Sequence, residues 1–242
     1  MNKIINQIQL RAICWIVFLL TALTAFAQQD STFTRYGLLV ISNREQLKKT
    51  ISKDPARAMT DIKKMIPNII LDLRYATANN FMHRQLYPSV STTFLRKPVA
   101  EALLRVQEHL NKKGLGLKIF DAYRPYAISE KMWDLIHDDR YVAEPKKGSR
   151  HNRGIAVDLT LIDLLTGTEL DMGTGFDNFS DTAHHAFSKL PKKILQNRKL
   201  LKSVMAKYGF EEQTTEWWHY SIANLKYFEV LNVSFEDLLL SN

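Results

Sequence analysis

The sequence predicts an α+β domain, a single fold with a mostly antiparallel central sheet and helices packed against it. Three observations carry that expectation. Strand-like segments at 115–125, 154–163 and 215–225 are interleaved with helix-like ones. Two of the helical segments are clearly amphipathic and close on glycine, at Gly114 and Gly209. No repeat and no low-complexity linker divides the 242 residues.

The chain opens with the three parts of a secretory signal peptide. "MNKIINQIQLR" carries Lys3 and Arg11, "AICWIVFLLTALT" has no charge, and Ala25-x-Ala27 offers a cleavage site. The alternative, a membrane anchor, needs roughly 20 apolar residues. The uncharged run falls short of that, so residues 1–27 are expected to be removed, leaving Gln28 first and no membrane span. The expected location is outside the cytoplasm, in a periplasm. Cys14, the only cysteine, leaves with the signal. The mature chain then has no disulfide, and any metal must be held by His, Asp or Glu.

Residues 28–65 are polar with weak helical signals and are expected to form an N-terminal extension packed on the domain of residues 66–242. Within that domain, "IPNIILDLRYATANNF" starts strand-like and ends in turn residues. In "KPVAEALLRVQEHLNKKG", Val99, Leu103, Val106 and Leu110 form one helical stripe. "LGLKIFDAYRP" reads as a strand ending at Arg124, and "PYAISEKMWDLIHDD" as a helix with Pro125 in its first turn. "GIAVDLTLID" alternates, with Ile155, Val157, Leu159 and Leu161 on one face. "PKKILQNRKLLKSVMAKYGF" is the second clear helix and "TEWWHYSIANL" the last strand.

The net charge of +8 becomes +6 once Lys3 and Arg11 are lost. Nothing resembles a nucleic-acid reading module, and aromatic residues do not alternate with the basic ones, so nucleic acid is not an expected partner.

Asp158 raises the chemical question. It is either a solvent-facing strand residue or a buried carboxylate whose cost is offset by a partner such as His151. Two histidines and a carboxylate make a catalytic zinc set with one position open. Glu216, three residues before His219, is the candidate general base. Arg124 is the candidate to meet a developing oxyanion. Simple alternation places Glu216 and His219 on opposite faces, so a bulge is needed if both serve one site. His184 and His185 stay open as further ligands, and Trp217 and Trp218 read as core.

"SRHNRGIAVD" followed by "EWWHY" resembles the zinc D-alanyl-D-alanine dipeptidases, the group that includes the vancomycin-resistance dipeptidases. "DLRYATANNF", "DAYRP", "MGTGFD" and "NRKLL" are similar to that family in the same order, so the resemblance spans about residues 66–222. It implies one Zn2+ held by His151, Asp158 and His219, with Glu216 as catalytic base. It implies that Arg124 stabilises the tetrahedral intermediate and that Asp177 anchors the amino group of a small dipeptide. Ser149 is placed near the substrate carboxylate, and Tyr75 and Asn80 along the pocket. The chemistry implied is hydrolysis of D-Ala-D-Ala to D-alanine in wall turnover or salvage.

The resistance enzymes work in the cytoplasm, unlike a chain with an export signal. The short stretch between Arg124 and His151 leaves little chain for a lid. A carboxypeptidase or endopeptidase acting on longer wall peptides shares the motif core, but "EWWH" together with "MGTGFD" favours the dipeptidase. A wall-binding module that has lost catalysis would not need both Glu216 and Arg124.

Overall fold

The computed structural model describes residues 32–225 and 227–240, so the signal-peptide expectation lies outside the described residues. The chain enters through a short antiparallel hairpin, β1 (Thr32–Phe33) with β2 (Leu39–Val40). Helix α1 (Arg44–Lys53) starts where the Asn43 side chain accepts from the Gln46 amide. Strand β3 (Met59–Asp61) runs into a one-turn helix, α2 (Ile62–Met65), whose first amides are capped by the Asp61 carboxylate. Then come β4 (Ile70–Leu71), β5 (Phe94–Arg96), α3 (Lys97–Asn111) and β6 (Leu115–Asp121). Helix α4 (Tyr126–Ile136), β7 (Ala156–Asp163), α5 (Lys192–Lys207), β8 (Glu211–Gln213), β9 (Glu216–Ser221) and α6 (Phe235–Leu239) complete the chain.

The central sheet has five strands in the order β4-β6-β7-β9-β8. Only the β4–β6 pair is parallel. The other three are antiparallel, so the α+β expectation holds. Helix α3 packs its predicted stripe into the core, with Val99, Leu103, Val106 and Leu110 all fully buried. Full burial of side chains of this size is worth about 1.5–3 kcal/mol each.

The segment 28–65, read from sequence as an extension, supplies parts of the same unit. Strand β3 pairs with β5, and Ile62 is fully buried in the main core. A three-residue strand and a one-turn helix are too short to show a period, which is why residue 66 looked like a beginning. None of the helices among the described residues is long and apolar enough to cross a membrane.

Two irregularities shape the middle of the sheet. On β6 the register slips at Phe120, so Ile119 faces Leu159 but Asp121 faces Asp158. On β9, Tyr220 faces Glu212 and Glu216 faces Gln213, which leaves Trp217–His219 without counterparts on β8. Since Asp158 also faces His219, the residues Asp121, Asp158 and His219 form a row across three strands. Strand β7 is covered on both faces. Ala156, Asp158 and Thr160 are as buried as their apolar neighbours, so Asp158 is not a solvent-facing residue.

Gly154 links this sheet to the turn before it. Its φ of +69° is left-handed, and a Cβ there would lie 2.8 Å from Met59 Cε and 3.3 Å from the Arg96 amide nitrogen. Gly154→Ala is therefore expected to lower stability by more than about 1 kcal/mol, the cost of forcing a side chain into an incompatible backbone site. A urea unfolding midpoint equal to that of the wild type would show that this turn relaxes freely.

Candidate active site

The eight residues proposed from sequence (Tyr75, Arg124, Ser149, His151, Asp158, Asp177, Glu216 and His219) all line one cavity of about 240 Å³. Its floor is Asp158 and His219 on the central sheet. Its walls are the turn before β7, the 176–179 loop and the segment after α4 at Asp139–Ala143. The stretch between Arg124 and His151, too short to promise a lid, supplies that last wall. Tyr141 stacks on Phe179 at 4.8 Å, and Phe179 meets Phe81 at 5.2 Å, so an aromatic bridge spans the wall.

His151, Asp158 and His219 converge. His151 Nε2 lies 3.2 Å from His219 Nδ1, which lies 2.9 Å from Asp158 Oδ1, and Asp158 Oδ2 is 3.4 Å from His151 Nε2. With one donor atom taken from each residue, the three lie within 4.8 Å of one another, close enough for a single ion to be shared after small side-chain adjustments. His151 Nδ1 is 2.7 Å from the Ala122 carbonyl, which can only accept. That contact fixes the tautomer and aims the Nε2 lone pair into the triangle. Among the described residues this is the one such cluster of three.

Glu216 does reach the same side as His219, with Oε2 3.7 Å from His219 Nδ1. The stretch Trp217–His219, without counterparts on β8, breaks the alternation that would have separated them. Arg124 is aimed by Asp121, whose Oδ2 accepts from Arg124 Nε at 3.0 Å and Nη2 at 2.8 Å. Its Nη2 also lies 3.9 Å from Asp158 Oδ2, and its guanidinium sits 5.0 Å over the Tyr75 ring. Tyr75 in turn donates its hydroxyl to Asp177 Oδ1 at 3.0 Å. Ser149 Oγ accepts from the His151 amide at 3.1 Å, which holds the turn in place.

The electrostatics are lopsided. Burial alone would raise the Asp158 carboxyl, but His151 and His219 outweigh it and hold it well below the usual range. Asp121 is raised by burial, partly offset by Arg124. Asp177 is pushed up to about 7 by burial and then by the charge of Asp158. Glu216 is raised well above the usual range by burial, then by Asp158 and Asp177. Arg124 answers only part of this negative charge. The donor set and the surplus of buried carboxyls both fit a divalent cation, which would favour the ionised form of each neighbour.

Several working residues had no separate signal in the sequence. Tyr87 donates to Asp121 Oδ1 at 2.8 Å and so supports the residue that aims Arg124. Asn152 donates to the Arg124 carbonyl and accepts from the Ser149 amide, both at 2.8 Å. Asn80, placed along the pocket by the resemblance, does not line it. Its amide instead donates to the carbonyls of Arg74, Thr77 and Arg84 and organises its own loop. Trp217 and Trp218 are buried, as expected of core residues.

A mixed sheet carrying two histidines, an aspartate, a glutamate and an arginine in one cavity defines a peptidase with a metal-type donor set. The chain belongs to the peptidase M15 family, described as D-Ala-D-Ala dipeptidase, which matches residues 56–235. It is similar to the D-alanyl-D-alanine dipeptidase of Escherichia coli K12, 35% identical over 164 residues, 68% of this chain and 84% of that one. It is also similar to the D-alanyl-D-alanine dipeptidase of Enterococcus faecium, 32% identical over 187 residues, 69% of this chain and 93% of that one. A solved LD-carboxypeptidase structure matches at 21% identity and a TM-score of 0.35, over 64% of this chain and 67% of that one, a likeness too loose to carry an argument.

His184 and His185, left open as ligands, lie outside the cluster. The His185 ring stands edge-on to Tyr220 at 5.9 Å, and burial, aided by Lys202, lowers its pKa to about 4. The folded protein therefore keeps this ring neutral where the unfolded chain, with its ordinary value of 6.5, takes up a proton. Its contribution is fully present above pH 6.5 and is lost as pH falls toward 4. The loss amounts to about 3 kcal/mol at most, at 1.36 kcal/mol per unit. Urea midpoints measured from pH 7.5 to 4 should fall less for His185→Gln than for the wild type, and parallel curves would rule His185 out as the cause.

Proposed function

We propose that the protein is a zinc-dependent dipeptidase that hydrolyses D-Ala-D-Ala to two molecules of D-alanine outside the cytoplasm. The observation that carries this reading is the meeting, in one small cavity, of a metal-type donor cluster, a carboxyl beside it, an aimed guanidinium and a second, half-enclosed carboxyl. Family membership supports the peptidase chemistry. The volume supports a small substrate, since about 240 Å³ is below the roughly 300–1,000 Å³ of pockets for drug-sized ligands.

His151 Nε2, His219 Nδ1 and Asp158 would hold the zinc, which when bound supplies Lewis acidity and a water acidified to about pKa 7. Asp177 pairs with the substrate ammonium and Ser149 lies on the side of the substrate carboxylate. Glu216 takes the proton of the attacking water as its oxygen adds to the scissile carbonyl carbon. Arg124 faces the oxyanion that forms there. Glu216 then returns the proton to the leaving nitrogen as the C–N bond breaks.

D-alanine release from D-Ala-D-Ala is expected to stop on treatment with a chelator and to return with zinc. Glu216→Gln keeps the shape and leaves the three ligands in place. It should retain one zinc per chain by elemental analysis while turnover falls on the order of 10²–10⁴-fold. Loss of zinc together with activity would make Glu216 a support for the ligands, and full activity would move the base elsewhere.

Asp177→Ala should weaken cleavage of free dipeptides far more than that of N-acetylated ones. Equal losses on the two substrates would reduce Asp177 to a structural turn residue.

Export rests on Lys3, Arg11, the uncharged run and Ala25-x-Ala27. Amino-terminal sequencing of the envelope fraction should begin at Gln28 or within a residue or two of it. An intact Met1 in the cytoplasmic fraction would contradict removal of the leader.

A further inference from the structure

"NRKLL" is one of the motifs that the resemblance singled out, yet none of its residues lines the catalytic cavity. Asn197 and Arg198 lie in the middle of α5. Asn197 Nδ2 donates to the Asp171 carbonyl at 2.9 Å, and Arg198 Nε donates to the Met172 carbonyl at 2.7 Å. Those consecutive carbonyls open the stretch "MGTGFD" that ends in Asp177. Gly173 follows them with φ +83°, close against Leu190 and Ile194.

The same guanidinium reaches a second segment. Arg198 Nη1 donates to the His184 carbonyl at 3.2 Å. The next residue, His185, donates its amide to the Thr214 carbonyl at 3.0 Å, two residues before Glu216. Arg198 also sits 6.0 Å from the ring of Trp217, whose Nε1 donates to Thr174 Oγ1 at 2.7 Å. One side chain thus ties the loop bearing Asp177 to the irregular start of β9 that bears Glu216.

This arrangement is costly. Arg198 is buried, no carboxylate pairs with it among the described residues, and its Nη2 has no partner. Burying a guanidinium with no carboxylate in ion-pair contact is unfavourable, even with the charge of Asp171 nearby, and an apolar side chain would hold α5 in the core more cheaply. The fork is the one property an apolar residue lacks.

We propose that Asn197 and Arg198 are positioning residues, a clasp that sets where Asp177 stands relative to Glu216. This rests on the reading above that Asp177 meets the substrate ammonium and Glu216 moves the proton. Lysine keeps the charge but, as a point donor, cannot span the carbonyls of Met172 and His184.

The test uses the full mature chain with Arg198→Lys, read by hydrogen exchange, zinc content and dipeptidase kinetics. The variant should keep its circular dichroism and its zinc. Amides in 172–177 and 214–219 should exchange at least about tenfold faster while α3 is unchanged, as expected for local opening. Its kcat/KM should fall on the order of 10²-fold, the scale of a small misplacement of reacting groups. The preference for free over N-acetylated dipeptide should shrink.

Unchanged exchange in both segments overturns the clasp, whatever the activity. Faster exchange in α3 as well overturns it too, because Arg198 is then only a support for the whole fold. So does local loosening with kcat and KM intact. Should Arg198→Lys fail to fold, Asn197→Ala cuts only the hold on Asp171, and its loosening should be confined to 172–177. If the wild-type chain releases no D-alanine, the dipeptidase reading falls alone, and exchange still decides the clasp.

Discussion

Asp158, Asp177 and Glu216 line one cavity with Arg124, Asp121 lies fully buried behind that guanidinium, and the rest of the structure is arranged around this burden of carboxyls. A buried carboxylate costs several kcal/mol unless charge or hydrogen bonds meet it. Asp158 is met by two histidines, and Asp121 by the fork of Arg124 and the hydroxyl of Tyr87. Asp177, which accepts from the Tyr75 hydroxyl, and Glu216 are both raised by burial and by neighbouring charge. A cation held by the His–Asp–His triangle would favour their ionised forms. The same linkage accounts for the care with which His151 is fixed. A ring whose Nδ1 donates to the Ala122 carbonyl turns its Nε2 toward the triangle.

A regular sheet could not hold this arrangement. With perfect register, Asp158 would not face both Asp121 and His219, and Glu216 would point away from His219. The slip at Phe120 makes the first alignment, and the residues Trp217–His219, which lack counterparts on β8, make the second contact. Each irregularity costs ladder hydrogen bonds and is held by burial around it. Phe120 packs against Phe176, and Trp217 and Trp218 are almost wholly enclosed. The tryptophans thus act as the packing that keeps a distorted strand in one shape, which is what a core reading of "EWW" requires.

Much of this was legible in the sequence because it is written in local patterns. The α3 stripe, the alternation in β7 and the glycine stops depend only on neighbours along the chain. The site residues were legible through their motifs, and eight of those the sequence singled out line the cavity, while Asn80 does not. What stayed hidden depends on distant segments. Tyr87 reaches Asp121 from 34 positions away, and no period or spacing announces it. The contribution of Met59–Asp61 was hidden because a three-residue strand has no pattern of its own. The parity of Glu216 was the instructive case. The strand rule placed it on the wrong side, the chemistry demanded the other, and the backbone yields to the chemistry through a break that no residue type in "TEWWHY" marks.

The backbone at Asp177 shows how far the fold goes to serve the site. Its φ of +58° is left-handed, a region that a non-glycine residue enters at a cost of order 1–3 kcal/mol unless its surroundings over-determine it. Three constraints do so here. The hydroxyl of Tyr75 grips the carboxylate, Phe176 is wedged against Phe120 and Trp218, and the carbonyls that begin the loop are held from α5. Asparagine or glycine would take this conformation more easily, so ease of turning does not explain an aspartate. Under the proposed dipeptidase reading, a carboxyl set in a strained turn, half enclosed and lining the cavity, would be there for what it meets. A free ammonium group is the partner that would offset both its burial and its charge.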